Sequence, residues 1–143
     1  MKPIFPKAFA VLLCVACAGE AAADAQRSEL LNKWNGSWKS ADGSTVTISS
    51  NAGFLDVTGQ DQASTFNLTC IVRNTQKLDT AKCIGHGVNH ESGLRFVYES
   101  TMTLTGDAKI GEKWQARAWN SRGNKIELIE GSTDFARLML KDR

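Results

Sequence analysis

The sequence predicts an all-β protein, most simply an antiparallel up-and-down barrel of about eight strands with a short N-terminal helix. A β-sandwich is the alternative. Runs of β-forming residues recur about every 8–12 residues, and Gly, Asn and Asp residues separate them. Within several runs, apolar and polar side chains alternate. Each such strand has one apolar and one polar face, as an antiparallel sheet closed on itself requires.

The composition is that of one ordinary folded domain. The 143 residues are 42% hydrophobic and 22% charged, with 17 Lys and Arg against 15 Asp and Glu. These values exclude a disordered or fibrous chain. The net charge of +2 is too small for the basic surface that nucleic-acid binding needs, so nucleic acid is not an expected partner.

The first residues resemble an export signal. Lys2 and Lys7 precede an uncharged apolar run at residues 8–18, which is too short to span a bilayer as a helix. Ala-x-Ala cleavage patterns follow it. We therefore expect residues 1–23 to be a secretory signal peptide and residues 24–143 to form a single β-barrel domain that is periplasmic or secreted.

An alternative processing route would act on Cys17. The residues Cys14-Val15-Ala16-Cys17 weakly resemble a bacterial lipobox, in which the last cysteine is lipidated. Lipidation would tether the protein to a membrane. Without it the sequence predicts no membrane contact, because no second apolar run of transmembrane length occurs.

Residues 25–33 are expected to form the short helix. The runs that predict strands follow at residues 36–39, 45–49, 54–58, 65–73, 78–84, 94–104, 113–119, 125–130 and 135–140. Alternation is clear in the run at 65–73, where Phe66 and Cys70 share one face. The glycine-rich stretch at 85–93 is expected to be a flexible loop.

Removal of the signal peptide would leave two cysteines, Cys70 and Cys83. In an oxidising compartment such a pair most simply forms a disulfide. The two cysteines flank a turn near residues 76–77, so a hairpin would bring them close together on neighbouring strands. Closing this loop should stabilise the fold by roughly 3 kcal/mol.

The residues Gly36-x-Trp38 at the start of the first strand resemble the opening motif of the calycin superfamily, which includes the lipocalins and the avidin-like barrels. In that group the tryptophan closes one end of the barrel, and a basic residue from the last strand covers it. The resemblance implies these roles for Trp38 and Arg137. Periplasmic inhibitors of secreted bacterial proteases are barrels of the same shape with one disulfide.

Motifs for catalysis and for cofactor binding are absent from the sequence. It contains no Gly-x-Ser-x-Gly elbow, no Ser-x-x-Lys pattern and no phosphate-binding glycine loop. His86 and His90 are weak candidates for a metal site, but two histidines beside Glu91 do not complete a zinc ligand set. We therefore expect a protein that is not an enzyme and that has no cofactor and no metal.

The remaining hypothesis is binding. The residues that could contact a ligand or partner are Trp34, Tyr98, Trp114, Arg117 and Trp119, because aromatic and arginine side chains are favoured at binding surfaces. We expect a small, mostly apolar ligand in the barrel interior. The rival hypothesis is a protein-binding module, such as an inhibitor of a secreted protease or lysozyme. Small inward residues would leave the interior open for a ligand, whereas the aromatic residues could fill it completely.

Overall fold

The computed structural model describes residues 8–73, 76–120 and 122–139. One helix, α1, is followed by eight strands. Their bounds are α1 Ala8–Asn32, β1 Gly36–Ser40, β2 Thr45–Asn51, β3 Phe54–Gln60, β4 Ser64–Arg73, β5 Thr80–Asn89, β6 Arg95–Thr105, β7 Lys109–Trp119 and β8 Lys125–Arg137. Residues 1–7 of the predicted signal peptide and residue 140 of the last predicted run lie outside the described residues.

The eight strands form a closed barrel in which each strand pairs antiparallel with its neighbours in the sequence. The first and last strands, β1 and β8, close the barrel through the pairs Trp38↔Arg137, Lys39↔Ala136 and Ser40↔Phe135. Closure leaves no exposed sheet edge. The predicted up-and-down barrel is confirmed, and the β-sandwich alternative is wrong.

Helix α1 is longer than predicted at its N-terminal end and ends at Asn32. Its last turn packs on the barrel through Leu31, which is buried, and Leu30, which is partly buried. In the described part of the chain, no helix has the length and apolar character needed to cross a membrane.

Two predictions of local structure are wrong. The predicted loop at 85–93 is a strand as far as Asn89, and the two runs at 125–130 and 135–140 belong to the single strand β8. In both places an inward-facing glycine lies in the strand opposite an aromatic residue: Gly87 pairs with Phe96, and Gly131 pairs with Trp114. These glycines accommodate the opposing aromatic rings and do not form turns.

One end of the barrel is closed by two tryptophans. Trp34 and Trp38 are both 0% exposed. The indole N–H of Trp38 donates to the carbonyl of Trp34 at 3.1 Å, and that of Trp34 donates to the carbonyl of Leu78 at 2.8 Å. Both buried polar atoms are therefore satisfied, and the large rings fill this end of the interior.

Arg137 covers the Trp38 ring from the last strand. Its guanidinium carbon lies 4.1 Å from the ring centroid. Its N–H groups donate to the carbonyls of Lys33, Asn35 and Asp107. Gly36 has a φ of +134°, and a Cβ there would lie 2.9 Å from an Arg137 nitrogen. The arrangement is the one that the calycin resemblance implies, and it explains why glycine precedes Trp38 by two positions.

The disulfide between Cys70 and Cys83 is present, as predicted. The two residues are directly opposite each other in the register of β4 and β5. Both side chains are buried. The bond indicates an oxidising compartment.

We predict energetic coupling between Trp38 and Arg137. Trp38→Ala should lower the free energy of unfolding by about 3–5 kcal/mol, because it removes buried surface and opens a cavity. Because the guanidinium stacks on the ring, the double variant with Arg137→Ala should show a coupling energy of at least about 0.5 kcal/mol in denaturant unfolding. Lys39→Ala, an exposed neighbour on β1, is the control. Simple additivity of the two substitutions would contradict the proposed contact.

Candidate functional site

The opposite end of the barrel opens into a cavity of about 470 Å³. This volume lies within the range of small-molecule sites, about 300–1,000 Å³. Its inner wall is mainly aromatic and aliphatic, formed by residues that include Phe66, Phe96, Tyr98, Trp114, Ala116 and Ala118. The interior is therefore open at this end, although five aromatic side chains line it.

Inward glycines hold the aromatic rings against the barrel wall. A Cβ added at Gly59 or Gly87 would lie 2.2 Å from the ring of Phe66 or Phe96. A Cβ at Gly131 would lie 2.6 Å from the Trp114 ring. Each ring thus occupies the space where a neighbouring strand would carry a side chain, and the centre of the barrel remains free.

The rings form a stacked series. The Phe66 and Tyr98 centroids are 5.0 Å apart at an interplanar angle of 9°, and those of Tyr98 and Trp114 are 5.8 Å apart at 19°. Phe96 contacts Tyr98 at 6.3 Å in a tilted arrangement. The indole N–H of Trp114 donates to the Thr133 hydroxyl at 3.1 Å, which fixes the ring orientation. These contacts provide a rigid, flat apolar surface.

A buried carboxyl group belongs to the same lining. Glu112 is 3% exposed, and its Oε1 atom has no hydrogen-bond partner. The Ser100 hydroxyl beside it is also buried. Burial raises the pKa of Glu112 to about 7, although the nearby Ser100 and Tyr98 hydroxyls favour its charged form. Burial, and then the adjacent Glu112 charge, raise the pKa of Tyr98.

The four turns around the open end are organised by side chains. In each, an Asp or Asn oxygen accepts backbone N–H groups two to four residues ahead at 2.7–3.0 Å; the residues are Asp42, Asp61, Asn89 and Asn120. Such caps replace missing backbone partners and restrict loop motion. The rim is therefore largely preformed.

The structure separates the five predicted contact residues. Tyr98 and Trp114 line the cavity. Trp34 does not, because it is fully buried at the closed end. Arg117 and Trp119 lie on the outer face, where Arg117 forms an ion pair with Glu99 at 3.6 Å and Trp119 borders a shallow groove. An interior ligand would not contact these last three residues.

The two histidines are separated by the strand geometry. His86 is exposed on β5, while His90 lies in the turn that follows this strand. Consecutive strand residues rise about 3.3 Å each, so this spacing does not bring the two rings to one ion. In residues 8–73, 76–120 and 122–139, no group of three or more potential ligands could hold a metal ion.

Glu112 is the charged cavity residue that the sequence analysis missed. The predicted strand began at residue 113, whereas β7 begins at Lys109. Extending the alternation backwards places Glu112 in phase with Ile110 and Trp114, on the inner face. A charged residue in phase with apolar ones was therefore the available signal.

No protein-family model matches the chain, and no curated protein matches it. A solved structure, the crystal structure of a rhizavidin–biotin complex, is similar over 76% of this chain and 95% of that chain. The sequence identity is 13% and the TM-score is 0.49. In architecture the chain resembles the calycin superfamily, through its closed eight-stranded barrel and the Gly36, Trp38 and Arg137 arrangement.

We predict that the ring positions depend on the inward glycines. Gly87→Ala should lower the free energy of unfolding by about 1–3 kcal/mol, because its Cβ would meet the Phe96 ring at 2.2 Å and the Thr65 carbonyl oxygen at 2.9 Å. Gly111→Ala is the matched control, since its Cβ would meet only Asp134 at an ordinary 3.6 Å. Equal unfolding midpoints for the two variants would contradict this account of the cavity wall.

We predict a pH signature from Glu112. Its pKa is raised from 4.5 to about 7 on folding, so the folded state favours the protonated form. The stability of the ligand-free protein should therefore fall as pH rises through this window, by up to about 3 kcal/mol from this group. Glu112→Gln should remove that part of the pH dependence in denaturant titrations. The exposed Glu127→Gln is the control, and identical profiles for wild type and Glu112→Gln would refute the assignment.

Proposed function

We propose that the protein is an exported, non-enzymatic barrel that binds a small ligand with a flat, mostly apolar body. The observation that carries this proposal is the preformed cavity of about 470 Å³ at the open end, with its stacked aromatic wall. The ligand would enter between the capped turns. Its body would lie against Tyr98 and Trp114.

The chemistry of the lining supports binding rather than catalysis. Among the described residues, the lining contains no histidine, cysteine or lysine to act with Glu112 as a nucleophile or a base. The rigid rim and anchored rings suit recognition of one shape, because little conformational entropy is lost on binding. Export fits the disulfide, which requires an oxidising compartment.

A fluorescent probe tests the proposal. N-phenyl-1-naphthylamine is a neutral aromatic dye that brightens in apolar surroundings. We expect a saturable rise in its fluorescence at one dye per protein. Ala116→Trp should weaken this binding at least about tenfold, because the new ring would occupy the cavity that Ala116 lines.

The matched control is Lys113→Trp, which adds the same side chain to the exposed face of the same strand. It should bind the dye as wild type does. Absence of saturable binding to wild type would refute the proposal, and so would unchanged binding to a folded Ala116→Trp variant. Circular dichroism of both variants establishes that they are folded.

A further inference from the structure

The cavity contains an unsatisfied acceptor. Glu112 is nine-tenths buried or more, and its Oε1 atom has no hydrogen-bond partner. A buried carboxylate oxygen without a hydrogen-bond partner destabilises the fold unless another group supplies the missing contact. The fold positions this side chain in phase with Trp114 on β7, directed into the same cavity.

The charge of the lining has a single sign. Besides Glu112, the acidic residues Asp42, Asp61 and Glu127 line the cavity, and no Lys, Arg or His is among the described lining residues. A hydrogen bond from the Ser40 hydroxyl holds the pKa of Asp42 below its ordinary value, so that carboxylate stays charged. A cleft with one sign of charge and apolar walls attracts ligands of the opposite sign.

The shape of the wall selects a flat group. Tyr98 and Trp114 are stacked within 19° of parallel. Planar delocalised cations bind well to aromatic faces and form paired N–H contacts with a carboxylate. A compact ammonium would reach the carboxylate without using the aromatic surface.

We propose that the cavity binds a ligand carrying a planar cationic N–H donor group, such as an amidinium or guanidinium, which donates to Glu112 while the flat body packs on Tyr98 and Trp114. This inference rests on the proposed function and specifies its ligand class.

The raised pKa of Glu112 adds a linked effect. A bound cation favours the ionised carboxyl, so binding should release a proton when the pH lies below about 7. Affinity should therefore increase as pH rises through this value. The other titratable groups that face the cavity are Tyr98 on β6, Glu127 on β8, and Asp42 and Asp61 in the turns. All are acidic, so none competes with the ligand as a cation.

Three molecules of one shape provide the test: 4-aminobenzamidine is a cation, 4-aminobenzamide is neutral and 4-aminobenzoate is an anion. We would measure each dissociation constant by calorimetry at a pH about one unit above the pKa of Glu112. We expect the amidine to bind at least about tenfold more tightly than the amide, and the benzoate to bind most weakly. Equal affinities for amidine and amide would overturn the proposal.

Variants assign the effect to one carboxylate. Glu112→Gln should weaken amidine binding at least about tenfold and leave amide binding within about threefold. Glu130→Gln, on the exposed outer face of β8, should change neither by more than about threefold. Unchanged amidine binding to Glu112→Gln would overturn the assignment.

The outcomes separate this inference from the proposed function. If the neutral dye binds and Ala116→Trp blocks it, but the amidine shows no preference, the ligand class is wrong and the binding function stands. If neither the dye nor the amidine binds, both proposals fail.

Discussion

Closure of the sheet between β1 and β8 is the constraint on which the other features depend. Three residue pairs join these strands, and the Arg137 guanidinium adds a stack on Trp38 and hydrogen bonds to three backbone carbonyls. Once the sheet is closed, every strand has an inner and an outer face, and each inward side chain competes for a fixed volume. The closed end uses that volume for two tryptophans, whereas the open end does not fill it.

The open end combines features that would destabilise a fully packed hydrophobic core. Glycines at positions 59, 87 and 131 give up side-chain packing so that rings can lie against the wall. Glu112 places a carboxylate oxygen there without a partner. Stable cores rarely retain such groups, whereas binding sites use them to hold a ligand in one orientation. The closed end is filled by packed side chains, whereas the open end keeps a cavity.

Much of the fold was predictable because it depends on period and spacing. Alternation and regular turns predicted the barrel, and the cysteine pair predicted the disulfide. Glycine was the ambiguous signal: Gly87 and Gly131 indicated turns in the sequence, but each lies within a strand opposite a ring. A single sequence does not tell these two uses of glycine apart, because they differ in long-range contacts.

The candidate site was only partly predictable. The inward positions of Tyr98 and Trp114 followed from the alternation. Trp34 lies instead at the closed end of the barrel. Its position depends on how α1 joins β1, which the alternation of strand residues does not determine. Glu112 was missed because a charged residue near the start of a strand usually faces solvent. Whether the aromatic residues fill the interior depends on the summed volume of the inward side chains from all eight strands. The alternation identifies which residues face inward, but it does not show whether their combined volume fills the barrel.

The central claim is that Glu112 is buried in an apolar cavity, with one of its carboxylate oxygens left without a hydrogen-bond partner. The most direct measurement is the carbon-13 NMR titration of its side-chain carboxyl in the ligand-free protein, assigned from the signal that disappears in Glu112→Gln. The account predicts a midpoint near pH 7, shifted downward when 4-aminobenzamidine is added. A midpoint near 4.5 that the amidine does not move would contradict it, because the carboxyl would then be hydrated and the cavity open to bulk water.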